Sequence, residues 1–444
     1  MSSENSDDKS REHGGLKRSI GVVHLWGLAV GMVISGDYFG WNLGLSRGGP
    51  LGMILATLAV TVLYVCFIFS YTELAAAIPH SGGPSAFAKR AFGDKGALVA
   101  GSATLIEFLF APPAIARAVG SYVNFRVPQL SINAVSVAAF IVFGAINAMG
   151  VSLAASLELV ITVLAVFELG LFFVLTAPHV SMQTLTAQPW LPEGWSGVFA
   201  AVPFAIWFYL GLEGAAMSAE EVVEPKKTIP RGFLAAIVTL VSLALGVLVC
   251  TSGVMPWRAL VVDDSPLPKA LAHVLSRGHP MTHLMVYLGL LGLLASFHGI
   301  ILGCSRQVFS LARDNVLPRY FAQLHATRRT PVPALLLSCT VGIAATLSGK
   351  TDALITMSVL GALVVYAISM AAAIKLRASE PELERPFRAP LHPLLPGTAM
   401  ALAVVAFVSV ALSAKAVTLA FVAVMLAFVL GFYYRMKKLT APDR

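Results

Sequence analysis

Charge is scarce in this chain: Asp, Glu, Lys and Arg make up 12% of its 444 residues, against 57% apolar types. A soluble domain of this size is excluded, because about a quarter of such a domain is ordinarily charged. Cysteine is rarer still. None of the four (Cys66, Cys250, Cys304, Cys339) stands in CxxC spacing, which argues against a disulfide framework or a thiolate metal cluster. Each falls inside an apolar run and reads as a small packing residue. No HExxH, Walker-type lysine loop, GxSxG elbow or metal-spaced His/Cys cluster occurs, so no enzyme, metal or cofactor is expected. Nothing at the N-terminus resembles a cleaved signal peptide. Residues 1–15, MSSENSDDKSREHGG, are polar and mixed in charge, and 1–16 is expected to be a disordered cytoplasmic tail.

What the chain has is long apolar runs. Scanning for segments able to cross roughly 30 Å of hydrocarbon predicts about twelve: 19–45, 51–78, 95–124, 131–149, 152–176, 197–222, 232–255, 281–311, 332–348, 352–376, 393–413 and 416–435. With both termini on one side, 23 of the 31 Lys and Arg fall on that side and 8 on the other. The positive-inside rule therefore places both termini in the cytoplasm, and the segment 437–444 is a second cytoplasmic tail. The net charge of +8 reports this topology, and no nucleic-acid partner is implied.

Two of the twelve runs are broken by glycines with an acid beside the break: GMVISGDYFG (31–40) and FAIWFYLGLEG (204–214). Backbone that unravels inside a bilayer is tolerated only where it lines a cavity or binds something. An ionisable group at that depth is a functional-site hypothesis by default. Interrupted segments at corresponding places in two halves of a chain point to a secondary-transporter binding site. Asp37 and Glu213 mark it here.

Five segments, in order, carry a family resemblance. The broken first run resembles the GxxIGxGIF pattern of the amino acid–polyamine–organocation (APC) transporter superfamily. IPHSGGPSAFAKRAFGD (78–94) resembles its SGGxYxY…FG loop, and AEEVVEPKKTIPRG (219–232) its AEExxNPxRxIPRA signature. ASFHGIILGCSRQVFSLARDNVLPRYFAQLH (295–325) is similar to its helix-8 motif. EPELERPFRAPLHPLLP (380–396) is similar to its EPdLeRPFrvPlyPllP loop. The resemblance runs from about 17 to 436. It implies an all-α membrane fold of two inverted five-helix repeats, 17–180 and 195–378, followed by two helices over 390–436. Substrate would bind between broken helices 1 and 6 and move by alternating access.

The departures are more informative. Family permeases usually keep glycine at the third position of the first turn, where bare amides take the substrate carboxylate. This chain has Ser35-Gly36-Asp37. A carboxylate there would repel another and attract an ammonium, and few effects are larger in a low-dielectric cavity. The family's frequent helix-5 lysine falls at Ala165 in an ungapped alignment, and His298 stands where Asn is commoner. This pattern most resembles the ethanolamine permease branch.

The candidate substrate residues are Asp37, Ser35, Gly36, Phe39, Glu107, Phe110, Trp207, Tyr209 and Gly211. Asp37 is read as counter-ion to an amine, with a helix-capping acid as the alternative. Glu107, some thirteen residues into helix 3, is either a second substrate contact, a proton carrier or a structural acid. Pro112-Pro113 beyond it are expected to kink the helix. Trp207, Phe208 and Tyr209 offer cation–π faces or plain core packing. Trp207 matches the family position that covers the substrate, and the Tyr209 hydroxyl could contact it. Glu213 matches a family glutamate implicated in gating and proton coupling. His298 is read either as a coupling group, because histidine titrates in the physiological range, or as a hydrogen-bonded packing residue near the family's second sodium site.

Glu158 and Glu168 lie about 280° apart around one helix and are expected to be structural, Glu158 near the cytoplasmic end and Glu168 facing the scaffold. Glu73, Glu220, Glu221 and the Arg313-Asp314 pair read as cytoplasmic gate or interface charges, and Gly82-Gly83-Pro84 as an irregular turn. The leading expectation is a multi-pass inner-membrane importer of a small cationic amine, ethanolamine or choline, with a proton as its coupling ion. An amino acid permease is the alternative. Membrane lipid and a monomeric or homodimeric state complete the expected partners.

Overall fold

The computed structural model describes residues 18–150, 155–186, 188–261, 264–313, 315–328 and 330–440, with side chains left out at 155–156 and 435–440. The two predicted tails (1–16 and the end of 437–444) and Asp314 lie wholly or partly outside the described residues. Twelve apolar helical segments follow in order: α1 (Val22–Val33), α2 (Leu45–Ala77), α3 (Pro84–Arg126), α4 (Ile132–Ala148), α5 (Ala155–Thr176), α6 (Gly194–Trp207), α7 (Pro225–Val254), α8 (Pro280–Arg313), α9 (Val332–Thr346), α10 (Thr351–Ser379), α11 (Leu394–Ser413) and α12 (Lys415–Thr440). Nine of the spans are long and apolar enough to cross a bilayer by themselves, and three shorter apolar helices complete the set. No strand occurs among the described residues; one isolated parallel bridge joins Ile20 to Val222. A membrane has no water to satisfy an open sheet edge, so a chain this apolar folds as helices. The predicted spans and these helices agree to within a few residues, except where helices run on into flanking polar sequence and where the spans 19–45 and 197–222 break, their first helices ending at Val33 and Trp207.

Burial separates scaffold from periphery. In the most apolar window of α3, 83% of residues are buried, against 11% in α12. The α3–α10 contact is the most extensive in the molecule. The broken helices lie against this core. The backbone stays helical at Pro112-Pro113, and the one non-helical residue in α3 is Gly93, at φ +71°. Both prolines are buried within the helix. Gly83 holds φ +47° at the start of α3, in the irregular turn read from 82–84. The cysteines are unpaired, three buried and Cys66 half-buried.

Candidate functional site

The first break starts where α1 ends at Val33. One turn over Ser35–Tyr38 follows, then extended Phe39, then Gly40 at φ +89°, then a 3-10 turn over Trp41–Gly44. In the second, α6 stops at Trp207 and Gly211 turns left-handed at φ +94°. The chain then runs as 3-10 helix from Leu212 to Glu221. Ten residues of 3-10 helix are far beyond the usual three or four, so the regular helix does not resume before the loop leading to α7. Gly211 serves because a side chain at that φ is strained.

The two breaks touch. A Cβ on Gly36 would overlap the Trp207 carbonyl, so only glycine lets the second backbone approach the first. The Trp207 ring lies against Gly40 and meets Phe39 edge-on at 5.5 Å. Trp41 stacks on Phe208 at 5.7 Å, and its indole N–H donates to the Asp37 backbone carbonyl at 3.3 Å.

Asp37 sits inside this shell with 0% exposure, and among the described residues no donor reaches either carboxylate oxygen. The capping alternative is therefore not what the side chain does. The Trp207 indole N–H is likewise buried without an acceptor. A buried acceptor pair and a buried donor left open in one shell are groups that each cost free energy until something binds them. The Ser35 hydroxyl accepts from Ser296 on α8 at 2.8 Å, so it anchors the break. Tyr209 gives its hydroxyl to a 2.7 Å bond with Thr61 on α2; its ring, not its hydroxyl, is available to the shell.

The second acid builds a separate centre. Tyr366 on α10 donates to Glu213 Oε2 at 3.1 Å and shares a 2.8 Å hydroxyl bond with Tyr64 on α2. Tyr71 donates to the Glu213 carbonyl at 3.2 Å. Among the described residues, no N–H or O–H reaches the Glu107 carboxyl or Glu213 Oε1, and the two acids are buried as electrostatic neighbours. Two acids buried this close disfavour each other's charge. The Tyr64 ring packs on Tyr209 at 4.9 Å, so an aromatic and hydroxyl ladder joins the Asp37 shell to the Glu107–Glu213 pair.

Other expected residues fall elsewhere. Phe110 is half-buried on α3, and Phe108 packs against Gly214 of the second break. Two residues are about 200° apart on a helix, so only one of them can face the hinge. His298 shares a 3.2 Å bond with Asn147 and lines a cavity of about 50 Å³ with Glu158 and Arg306. The Glu158 carboxyl reaches between Gly31 and Gly299. Glu168 departs from its scaffold-facing expectation, accepting from Tyr38 of the first break at 2.6 Å. Ala165 is fully buried and its carbonyl accepts from the same hydroxyl at 3.2 Å. Reading one residue at a time missed Tyr64, Tyr366 and Ser296. Their one trace in the sequence is a hydroxyl recurring within strongly apolar helices.

An all-helical membrane protein with two hinged helices meeting at buried acids is the class of a secondary transporter. The sequence pattern of the amino acid permease family matches residues 20–434, nearly the whole chain, and the chain belongs to that family within the APC superfamily. It is 31% identical over 394 residues to an uncharacterized transporter of Rhizobium meliloti (strain 1021), covering 85% of this chain and 83% of the relative. A branched-chain amino acid permease of Bacillus subtilis (strain 168) is 24% identical over 407 residues, covering 87% and 86%. A methylthioribose transporter of the same organism is 27% identical over 408 residues, covering 86% of each.

Proposed function

We propose that this permease imports a small organic cation that carries an ammonium and no carboxylate. Ethanolamine is the first candidate, and choline or another amino alcohol the next. The observation that carries the reading is the Asp37 carboxylate, fully buried in an aromatic shell with no donor of its own. An ammonium supplies the missing charge and donors, and the faces of Phe39 and Trp207 add about 0.5–2 kcal/mol of cation–π attraction. A cargo hydroxyl would accept from the open Trp207 N–H. A zwitterionic amino acid would set its own carboxylate against Asp37. Among the relatives, methylthioribose is a cargo without a carboxylate, so this family's scaffold is not tied to that group.

Transport would proceed by rocking of the two halves, 17–180 and 195–378, about the hinges at 34–40 and 208–211, in the inner membrane with both termini inside. The membrane potential contributes about 2.3 kcal/mol per charge per 100 mV. The Glu107–Glu213 pair would carry the coupling proton. A second reading, an amino acid permease with Asp37 turned from the cargo, is favoured by the name of the branched-chain permease relative. Competition in proteoliposomes separates the two. Ethanolamine should compete for uptake at least tenfold better than alanine or serine, about 1.4 kcal/mol; equal competition by alanine would establish the second reading.

A further inference from the structure

A cavity of about 480 Å³ lies on the outer surface between α6 and α11. Its walls are Phe199 on α6 and Val404, Val405, Val408 and Leu412 on α11, all exposed. Ser409 bridges the floor by donating to the Phe199 carbonyl at 2.8 Å. At one end stands Arg47, from the first turn of α2. Its guanidinium grips Glu193, immediately before α6, at 2.9 Å, and points Nη1 at the Ser413 carbonyl, at the end of α11, at 3.4 Å. Three helix ends converge there, which places this mouth at the polar boundary of the membrane.

We propose that this groove holds one phospholipid whose headgroup carries both a phosphate and an ammonium, the phosphatidylethanolamine class. Dimensions support an acyl chain in the groove. From Ser413 back to Val404 is nine residues of α11, about 14 Å at 1.5 Å per residue, and one leaflet of a roughly 30 Å hydrocarbon core is about 15 Å deep. The groove therefore runs from the membrane boundary to near the midplane. Charge selects the headgroup. Arg47 and Glu193 remain 45% and 39% exposed while paired, so the mouth presents both signs and no net charge. An anionic headgroup without an amine would satisfy Arg47 and meet the Glu193 carboxylate unopposed. A headgroup with both charges pairs phosphate with guanidinium and ammonium with carboxylate. The bound lipid would bridge the end of the first hinge, the unwound limb's own helix α6 and the peripheral α11. It is independent of what the transporter carries.

The experiment is native mass spectrometry of the full chain in detergent with dioleoyl phosphatidylethanolamine and dioleoyl phosphatidylglycerol offered in equal amounts. Wild type should retain one phosphatidylethanolamine with about tenfold preference. Val408→Trp, which fills the groove, should lose that adduct, and Val404→Trp serves should the first variant fail to fold. Glu193→Gln, which leaves the guanidinium unopposed, should turn the preference to phosphatidylglycerol. Equal retention of the two lipids by wild type, or full retention by both tryptophan variants, overturns the proposal. So does a dimer in light scattering that the tryptophan variants dissociate, since a second copy would then occupy the face.

Discussion

At the scale of single residues, Asp37 poses a stability question before a functional one. A buried carboxylate without donors costs free energy in the empty protein, and natural sites keep such groups where binding needs them. Asp37→Asn preserves shape and removes the charge. The empty variant should therefore unfold at higher temperature in detergent, by the equivalent of about 1–3 kcal/mol. Ethanolamine should no longer stabilise it: a desolvated ammonium left without its counter-ion costs about 3–5 kcal/mol, at least a hundredfold in Kd. A structural Asp37 would do the opposite, with the variant melting lower. Trp207 is argued from its ring. Trp207→Ala should weaken amine binding severely in calorimetry, whereas Trp207→Phe should keep part of it through the remaining ring face. Wild-type affinity in both would leave Trp207 as packing alone.

At the scale of elements, the break after α6 carries Glu213, an acid buried near Glu107 of α3, whose carboxyl accepts from Tyr366 of α10 and whose backbone carbonyl accepts from Tyr71 of α2. Glu213→Gln imitates the protonated carboxyl and can still accept from Tyr366. It should bind substrate and lose the pH dependence of transport between about pH 5 and 8. If the two neighbouring acids act as one titrating unit, Glu107→Gln should do the same, and the double variant should be no worse than either single one. Loss of binding in Glu213→Gln with retention in Asp37→Asn would exchange the two acids' roles.

The helices and their breaks were legible because hydropathy and glycine placement are local signals, and a bilayer leaves few alternatives to a helix. Asp37, Gly36 and Gly211 were legible for the same reason. The pairing of Glu107 with Glu213 was not, since it joins residues 106 positions apart that only packing brings together. Glu168 was misread because helical angle tells which residues share a face but not which neighbour that face meets. Which of Phe108 and Phe110 meets the second break is not legible, because the rotation of α3 about its own axis leaves no mark in a run where both sides are apolar.

At the scale of the whole molecule, the loop 380–393 ties together the ends of helices from both halves. Glu73, at the end of α2, gathers Arg377 from α10 at 2.8 Å, the Ala389 amide at 2.7 Å and Arg385 at 3.2 Å. Around it, Arg90 of α3 grips Glu380 at 2.7 Å and Lys226 of α7 meets Glu384 at 2.6 Å. These ties are unequal in weight. Glu73 and Arg385 are only 8% and 6% exposed, so Glu73→Gln leaves buried guanidinium charge uncompensated and should cost about 3–5 kcal/mol of stability. Arg90 and Glu380 are 40% and 33% exposed, and Arg90→Gln should cost no more than about 1 kcal/mol. Acid separates them further. The Arg90 guanidinium holds the Glu380 carboxyl below the usual carboxylate range, so its contribution is fully present above the unfolded value near pH 4.3 and is lost as pH falls through the lower folded one. Thermal unfolding in detergent from about pH 3 to 7 should therefore show Arg90→Gln converging on wild type at the acid end, with Glu73→Gln already displaced at neutral pH. If Glu73→Gln unfolds like wild type at pH 7, the loop rests on the helix ends without holding them, and the two halves move independently of it.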